Sequence, residues 1–280
     1  MPDPTGHADI EGVRIGGQII GSGPPLLLLH GLAGSWAEWQ PNLPALTRHF
    51  KVYAPTMPGH GDSAPVAEYN IASGHPLFMS FLESEGMDKV SLVGHSMGGA
   101  VALDLALNFP ERVDKLVLMD AAGMGSEIHW GLRLLSLPVL GEVVCDFLWP
   151  MLWPRVRSLT RRAGMNIPNP SVHHGTPNSR GSIARLLRAG VGLRGQKLWP
   201  ANRDRLPGLQ VPTLIIWGDR DELFPLSQAI AARRLIPNSR LHVLRRCGHC
   251  PGPEHTDEIN GVLLEFLELH HNDARKESGP

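Results

Sequence analysis

The sequence predicts an α/β protein with a mostly parallel central sheet, helices on both faces and an inserted helical cap. Three observations carry that expectation. Short apolar runs alternate with helical segments in the first 123 residues and again after residue 207, as βαβ units do. The intervening segment, 124–207, shows no evident strand and accumulates Pro, Trp and Arg. Finally, Lys89 to Phe109 reads as a strand, a tight small-residue turn and a helix in immediate succession.

In chain order, Ile10 to Ile20 alternates loosely around Gly16-Gly17 and suggests an N-terminal β-hairpin. Gly21 to Pro25 is a turn by composition, and Leu26 to Leu29 is a continuous apolar strand of the kind buried on both faces. Lys51 to Ala54 is the next strand and leads into the loop Pro58-Gly59-His60-Gly61-Asp62-Ser63. A helix near Pro76 to Glu85 precedes the strand around Val90 to Val93. The helix that follows Gly98 is rich in Ala, Leu and Val. Its polar positions Asp104 and Asn108 lie four apart on one face, and Pro110 stops it. Lys115 to Met119 forms a strand ending at Asp120. The rhythm resumes with Thr213 to Trp217, Arg240 to Leu244 and a closing helix near Glu254 to Leu269. The organisation expected is therefore a core in two parts, 1–123 and 208–271, around a cap at 124–207, with a polar, disordered tail at 272–280.

Composition narrows the function classes. At 280 residues, 42% hydrophobic and 19% charged, the chain has the make-up of a soluble globular protein. A formal net charge of −1 gives no pull toward nucleic acid. Met1 to Gly6 lacks the basic and apolar regions of a signal peptide, and three cysteines do not make a disulfide framework, so a cytoplasmic location is expected. The partner expected is a small molecule; oligomeric state is not legible.

The chemistry concentrates at Gly94-His95-Ser96-Met97-Gly98, a G-x-S-x-G between strand and helix. A serine at so sharp a turn takes a strained backbone conformation, and glycine two residues either side removes the collision that side chains would make. Its hydroxyl then emerges at a helix N-terminus. A serine alcohol needs a base, an orienting acid and an oxyanion site. Trp217 to Pro225, after one strand, offers the acids Asp219, Asp221 and Glu222. Cys247-Gly248-His249, after the next, offers the base. Loops of this kind share the carboxyl edge of a parallel sheet.

These pieces resemble the α/β-hydrolase superfamily over nearly the whole chain: His30-Gly31-Leu32, Pro58 to Ser63, Gly94 to Gly99, Gly218 to Pro225 and Gly248-His249, in the family order Ser…Asp…His. The resemblance implies that Ser96 is the nucleophile, His249 the general base and then acid, and Asp221, the D of G-x-x-D-x-x-x-P, the residue orienting His249. It implies an oxyanion hole from the backbone N–H groups of Leu32 and Met97. Neither metal nor cofactor is implied. Asp120 is the alternative place for the acid; otherwise it hydrogen-bonds loop backbone. Thr56-Met57 stands where the family often has an Asp before P-G-x-G. Ser96 stands where haloalkane dehalogenases and epoxide hydrolases carry Asp.

The activity expected is hydrolysis of carboxylic esters through an acyl-enzyme. Carbon–carbon bond hydrolysis of the meta-cleavage type uses the same triad; relatives of that type commonly have Asn and Trp where His95 and Cys250 stand here. A slow-turnover ligand-binding protein on the same fold is the alternative of another class. The cap segment from Ile128 to Pro154 is strongly apolar, so Trp130, Trp149 and Trp153, with His95, are the expected substrate-binding residues, and a lipophilic acyl group the expected substrate. Nine arginines from Arg133 to Arg194, in a Trp-rich segment with few acids, suggest an anionic substrate or transient contact with a membrane or lipid surface, with a solvated basic face as the plain alternative. Cys247 to Cys250 spells C-x-x-C, but Pro251-Gly252-Pro253 prevents the helix that would activate a redox thiol. A zinc site from these cysteines with His242 or His255 is weaker still.

Overall fold

The computed structural model of the chain describes residues 7–65, 70–148, 151 and 182–268. Ten strands are present among them: β1 (His7–Ile10), β2 (Val13–Ile20), β3 (Pro25–Leu29), β4 (Lys51–Pro55), β5 (Val90–His95), β6 (Val113–Met119), β7 (Val191–Gly192), β8 (Gly195–Gln196), β9 (Thr213–Gly218) and β10 (Ser239–Leu244). Eight form one sheet in the order β1-β2-β4-β3-β5-β6-β9-β10. The first two pair antiparallel with each other, and β2 pairs antiparallel with β4. From β4 to β10 every pairing is parallel.

The apolar runs explain the two-sided burial. Successive side chains of a strand point to opposite faces. Leu27, Leu92, Leu116, Leu118, Ile215 and Trp217 accordingly pack in one core, and Leu26, Leu28, Val93, Val117, Leu214 and Ile216 in the other. The first face is covered by α2 (His75–Ser84), α3 (Met97–Asn108) and α8 (Leu226–Leu235). The second is covered by α1 (Leu43–Leu46) and α9 (Thr256–Glu268). Between β6 and β9 lie α4 (Trp130–Leu135), α5 (Leu140–Glu142), α6 (Ser182–Gly190) and α7 (Trp199–Arg205).

Two expectations need correction. The N-terminal hairpin exists, but its turn is Glu11-Gly12, with φ of 52° and 78°, and Gly16-Gly17 lies inside β2. A Cβ at Gly16 would meet the Asp62 carboxylate, so the small residue serves a close approach within the strand. The segment 124–207 also carries a small hairpin, β7 with β8, where no strand was expected. Its two-residue arms are too short to show a period of two, and Gln196 N–H donating to Ser126 O (3.1 Å) ties it down. The expected tail at 272–280, and Trp149 and Trp153, lie outside the described residues.

Candidate active site

The turn after β5 is built by exclusion of side chains. Ser96 has φ 53° and ψ −115°, a region costly for any residue with a Cβ. A Cβ on Gly94 would collide with Gly98 O, and one on Gly98 with Leu29 O, both fixed backbone atoms. Ser96 O accepts from Ala100 N–H (3.2 Å) as the helix begins, and from Ala122 N–H (3.0 Å) beyond β6. The N–H of Met97, in the first turn of α3, is one of those a helix leaves without an intrahelical partner.

The loops after β9 and β10 meet this turn. Ser96 Oγ lies 2.9 Å from His249 Nε2, and His249 Nδ1–H donates to Asp221 Oδ2 at 2.8 Å. Asp221 Oδ1 accepts from the N–H groups of Leu223 (2.8 Å) and Phe224 (3.0 Å), which fixes the carboxylate plane. Trp217 Nε1–H donates to Phe224 O (3.0 Å), closing the acid loop over its own strand. Arg220 N–H to Cys247 O (2.8 Å) binds the acid loop to the base loop. Phe224 packs edge-on to the His249 ring, centroids 5.0 Å apart. Burial depresses the His249 pKa below the ordinary histidine value; the Asp221 hydrogen bond opposes this and the nearby charge on His95 adds to it.

Asp120, the alternative acid, does not meet His249 Nδ1. It is fully buried with φ 42°, and its Oδ1 accepts from Gly218 N–H (2.9 Å), tying the ends of β6 and β9 together. Burial raises its pKa well above the ordinary carboxylate value, and the charge on His95 and the Gly218 N–H work against that rise. Asp219 Oδ1 accepts from Cys247 N–H (3.3 Å), a backbone role. Cys247 and Cys250 are free thiols, and burial pushes Cys247 up to about 12, opposite to what a redox thiol needs. His242 is hydrogen-bonded to Glu258 (2.8 Å).

Loop anchoring near Pro58 is achieved without the family's Asp. Met57 N–H donates to His30 Nε2 (2.9 Å), and Ser63 Oγ–H donates to Thr56 O (2.5 Å). His30 Nδ1–H in turn donates to Gly31 O (2.7 Å), at the start of the turn that carries Leu32.

His95 is buried, and both its ring nitrogens are engaged. Nε2–H donates to His249 O (2.9 Å), and Nδ1 lies 2.8 Å from Glu38 Oε1. It is therefore a framework residue, not one with a hydrogen bond to offer a substrate. Glu38 had no signal in the sequence: it lies 57 residues from His95, on a 3₁₀ turn (Trp36–Trp39) capped by Ser35. Only the folded chain brings the two together.

Ser96 and His249 open on a cavity of about 1500 Å³. Its wall includes Leu32 and Met97 beside Ser96, and the apolar side chains of Ile128, Leu132, Leu187, Leu223 and Phe224. No lysine or arginine lines it among the described residues. Trp130 is 67% exposed and does not line the cavity, so the structure does not bring it to the site. It lies instead against His129.

A sharp serine turn, a histidine and an aspartate on three loops of one sheet edge define a hydrolase of the α/β type. The model of the alpha/beta hydrolase family matches residues 26–262, and the chain belongs to that family. It is 33% identical over 272 residues to an uncharacterized protein of Mycobacterium tuberculosis, covering 92% of this chain and 80% of that one. It is 30% identical over 260 residues to the 2-hydroxy-6-oxo-2,4-heptadienoate hydrolase of Pseudomonas putida, covering 89% and 90%. Among solved structures, a meta-cleavage product hydrolase from Pseudomonas fluorescens superposes with TM-score 0.72 at 26% identity, over 96% of this chain and 97% of that one. An esterase from Thermogutta terrifontis also reaches TM-score 0.72, at 23% identity over 94% and 96%, a likeness of fold.

Proposed function

We propose that the protein hydrolyses carboxylic esters with an apolar acyl group through an acyl-enzyme on Ser96. His249 Nε2 accepts the Ser96 proton as Oγ attacks the ester carbonyl. Asp221 keeps the accepting nitrogen turned toward the serine and stabilises the imidazolium that forms. The N–H groups of Leu32 and Met97 receive the oxyanion, a donor of this kind being worth about 3 kcal/mol. Collapse returns the proton from His249 to the departing alcohol. Water, activated by the same histidine, then releases the acid.

The observation that carries this reading is the cavity wall. Ile128, Leu132, Leu187, Leu223 and Phe224 line it with apolar side chains, a surface on which an acyl chain gains by burial. Carbon–carbon cleavage is the second reading, favoured by the names of relatives matched over most of this chain.

The test is a series of p-nitrophenyl esters from acetate to decanoate beside a 2-hydroxy-6-oxo-dienoate. Each buried methylene is worth about 0.8 kcal/mol, roughly fourfold in kcat/KM. Efficiency should rise through the medium-chain esters and level off where the cavity ends. A dienoate turned over faster than every ester would transfer the assignment to carbon–carbon cleavage.

A further inference from the structure

The triad does not use Glu38 or His95, yet both are within reach of it. The carbonyl of His249 can only accept, so His95 Nε2 carries a proton. A bare Nδ1 lone pair facing the Glu38 carboxylate at 2.8 Å would be repulsive, so Nδ1 carries one as well. The other Glu38 oxygen, Oε2, accepts from Gly31 N–H (3.1 Å), which favours the ionised carboxylate. Geometry thus makes His95 an imidazolium, with its ring centroid 5.3 Å from that of His249.

We infer that Glu38 and His95 are positioning residues for the Ser96 chemistry: a carboxylate–imidazolium pair that grips the His249 carbonyl and keeps the His249 ring in its proton-accepting form. The inference rests on the triad proposed above and adds to it a means of setting its pH range.

The groups around the pair support the sign of the effect. Desolvation works against the charge on His95, but Glu38, by charge and hydrogen bond, raises it to about 9, with Asp120 contributing. Desolvation likewise opposes the Glu38 charge, and the charge and hydrogen bond of His95, with the Gly31 N–H, hold it below the ordinary value. The Cys247 and Cys250 thiols are both pushed up to about 12 and are neutral. The charges that act on His249 are Asp221 and Glu38, which favour its protonation, and His95, which opposes it and outweighs Glu38. Removing the pair's charge should raise the pKa at which His249 stops accepting a proton.

Glu38→Gln removes that charge and keeps the bonds. A neutral His95 still donates through Nε2–H to the His249 carbonyl, while Nδ1 accepts from the Gln amide. The readout is the rate at which a fluorophosphonate labels Ser96, measured from pH 5 to 9, since it requires the Ser96–His249 pair but no particular substrate. The acid midpoint in Glu38→Gln should lie roughly half a unit to one unit above that of the wild type, with high-pH rates within about threefold. A merely structural glutamate would lower the rate at every pH and leave the midpoint in place, and that result overturns the inference. Labelling at a residue other than Ser96 would remove the triad itself, and the inference with it. The wild type supplies an independent measurement that needs no folded variant. With ¹⁵N-labelled histidine, one ring should show both nitrogens protonated at pH 8; every ring neutral at that pH overturns the proposal.

Discussion

At the scale of single residues, two aspartates at neighbouring strand ends do different work. Asp221 meets His249 through one oxygen and is fixed by two backbone N–H groups through the other. Asp120 spends one oxygen on Gly218 N–H, and burial holds its pKa well above the ordinary carboxylate value. Asp221→Asn should therefore cost about 10⁴ in kcat, as loss of the orienting acid does in the serine-protease template. Asp120→Asn, which keeps the acceptor for Gly218, should cost less than about tenfold. Steady-state rates of the two variants at pH 8 decide this, and the reverse ranking would move the acid to Asp120. Ser96, Asp221 and His249 were legible because each sits in a short motif whose spacing has a mechanical reason. Glu38 was not: one glutamate between two tryptophans carries no local sign of a partner 57 residues away.

At the scale of elements, the turn between β5 and α3 is where sequence and structure agree most closely, because sterics leave little choice. The helix approaches β3 closely enough that Gly98 touches the Leu29 carbonyl. Gly98→Ala must push α3 away from the sheet, and should cost about 2 to 3 kcal/mol of stability and more than tenfold in kcat/KM as Ser96 shifts. Urea unfolding together with ester kinetics checks both; an unchanged midpoint and rate would mean that the close contact is absent. Elements without such constraints were harder to read. The β7–β8 hairpin has arms of two residues, below the length at which alternation is visible, and is held by Gln196 N–H on Ser126 O, a contact no periodicity announces. Gly16-Gly17 has the composition of a turn, yet Gly16 serves the approach of Asp62 to β2 and the β1–β2 turn falls at Glu11-Gly12.

At the scale of the whole molecule, the parallel order from β4 to β10 sets the loops after β5, β9 and β10 on one edge, so that residues 96, 221 and 249 converge. The two-sided cores follow from continuous apolar strands, which is why the fold class was readable from hydrophobic runs alternating with helical segments. Substrate contacts were less readable. Trp130 was expected at the site from the apolar character of its segment, but its side chain faces away from the cavity wall into solvent. Composition says that a segment is apolar without saying which side chains reach the site. Among the described residues, no helix is long and apolar enough to cross a membrane.

The central claim is that ester cleavage passes through a covalent acyl group on Ser96. It is tested most directly by acid-quenching the enzyme during turnover of p-nitrophenyl butyrate and measuring its intact mass, with peptide mapping of any adduct. The account predicts a butyryl adduct on the peptide containing Ser96, formed in the wild type and absent from Ser96→Ala, which should also lose hydrolysis. Hydrolysis that continues in Ser96→Ala, or an acyl group mapped to another residue, would contradict it.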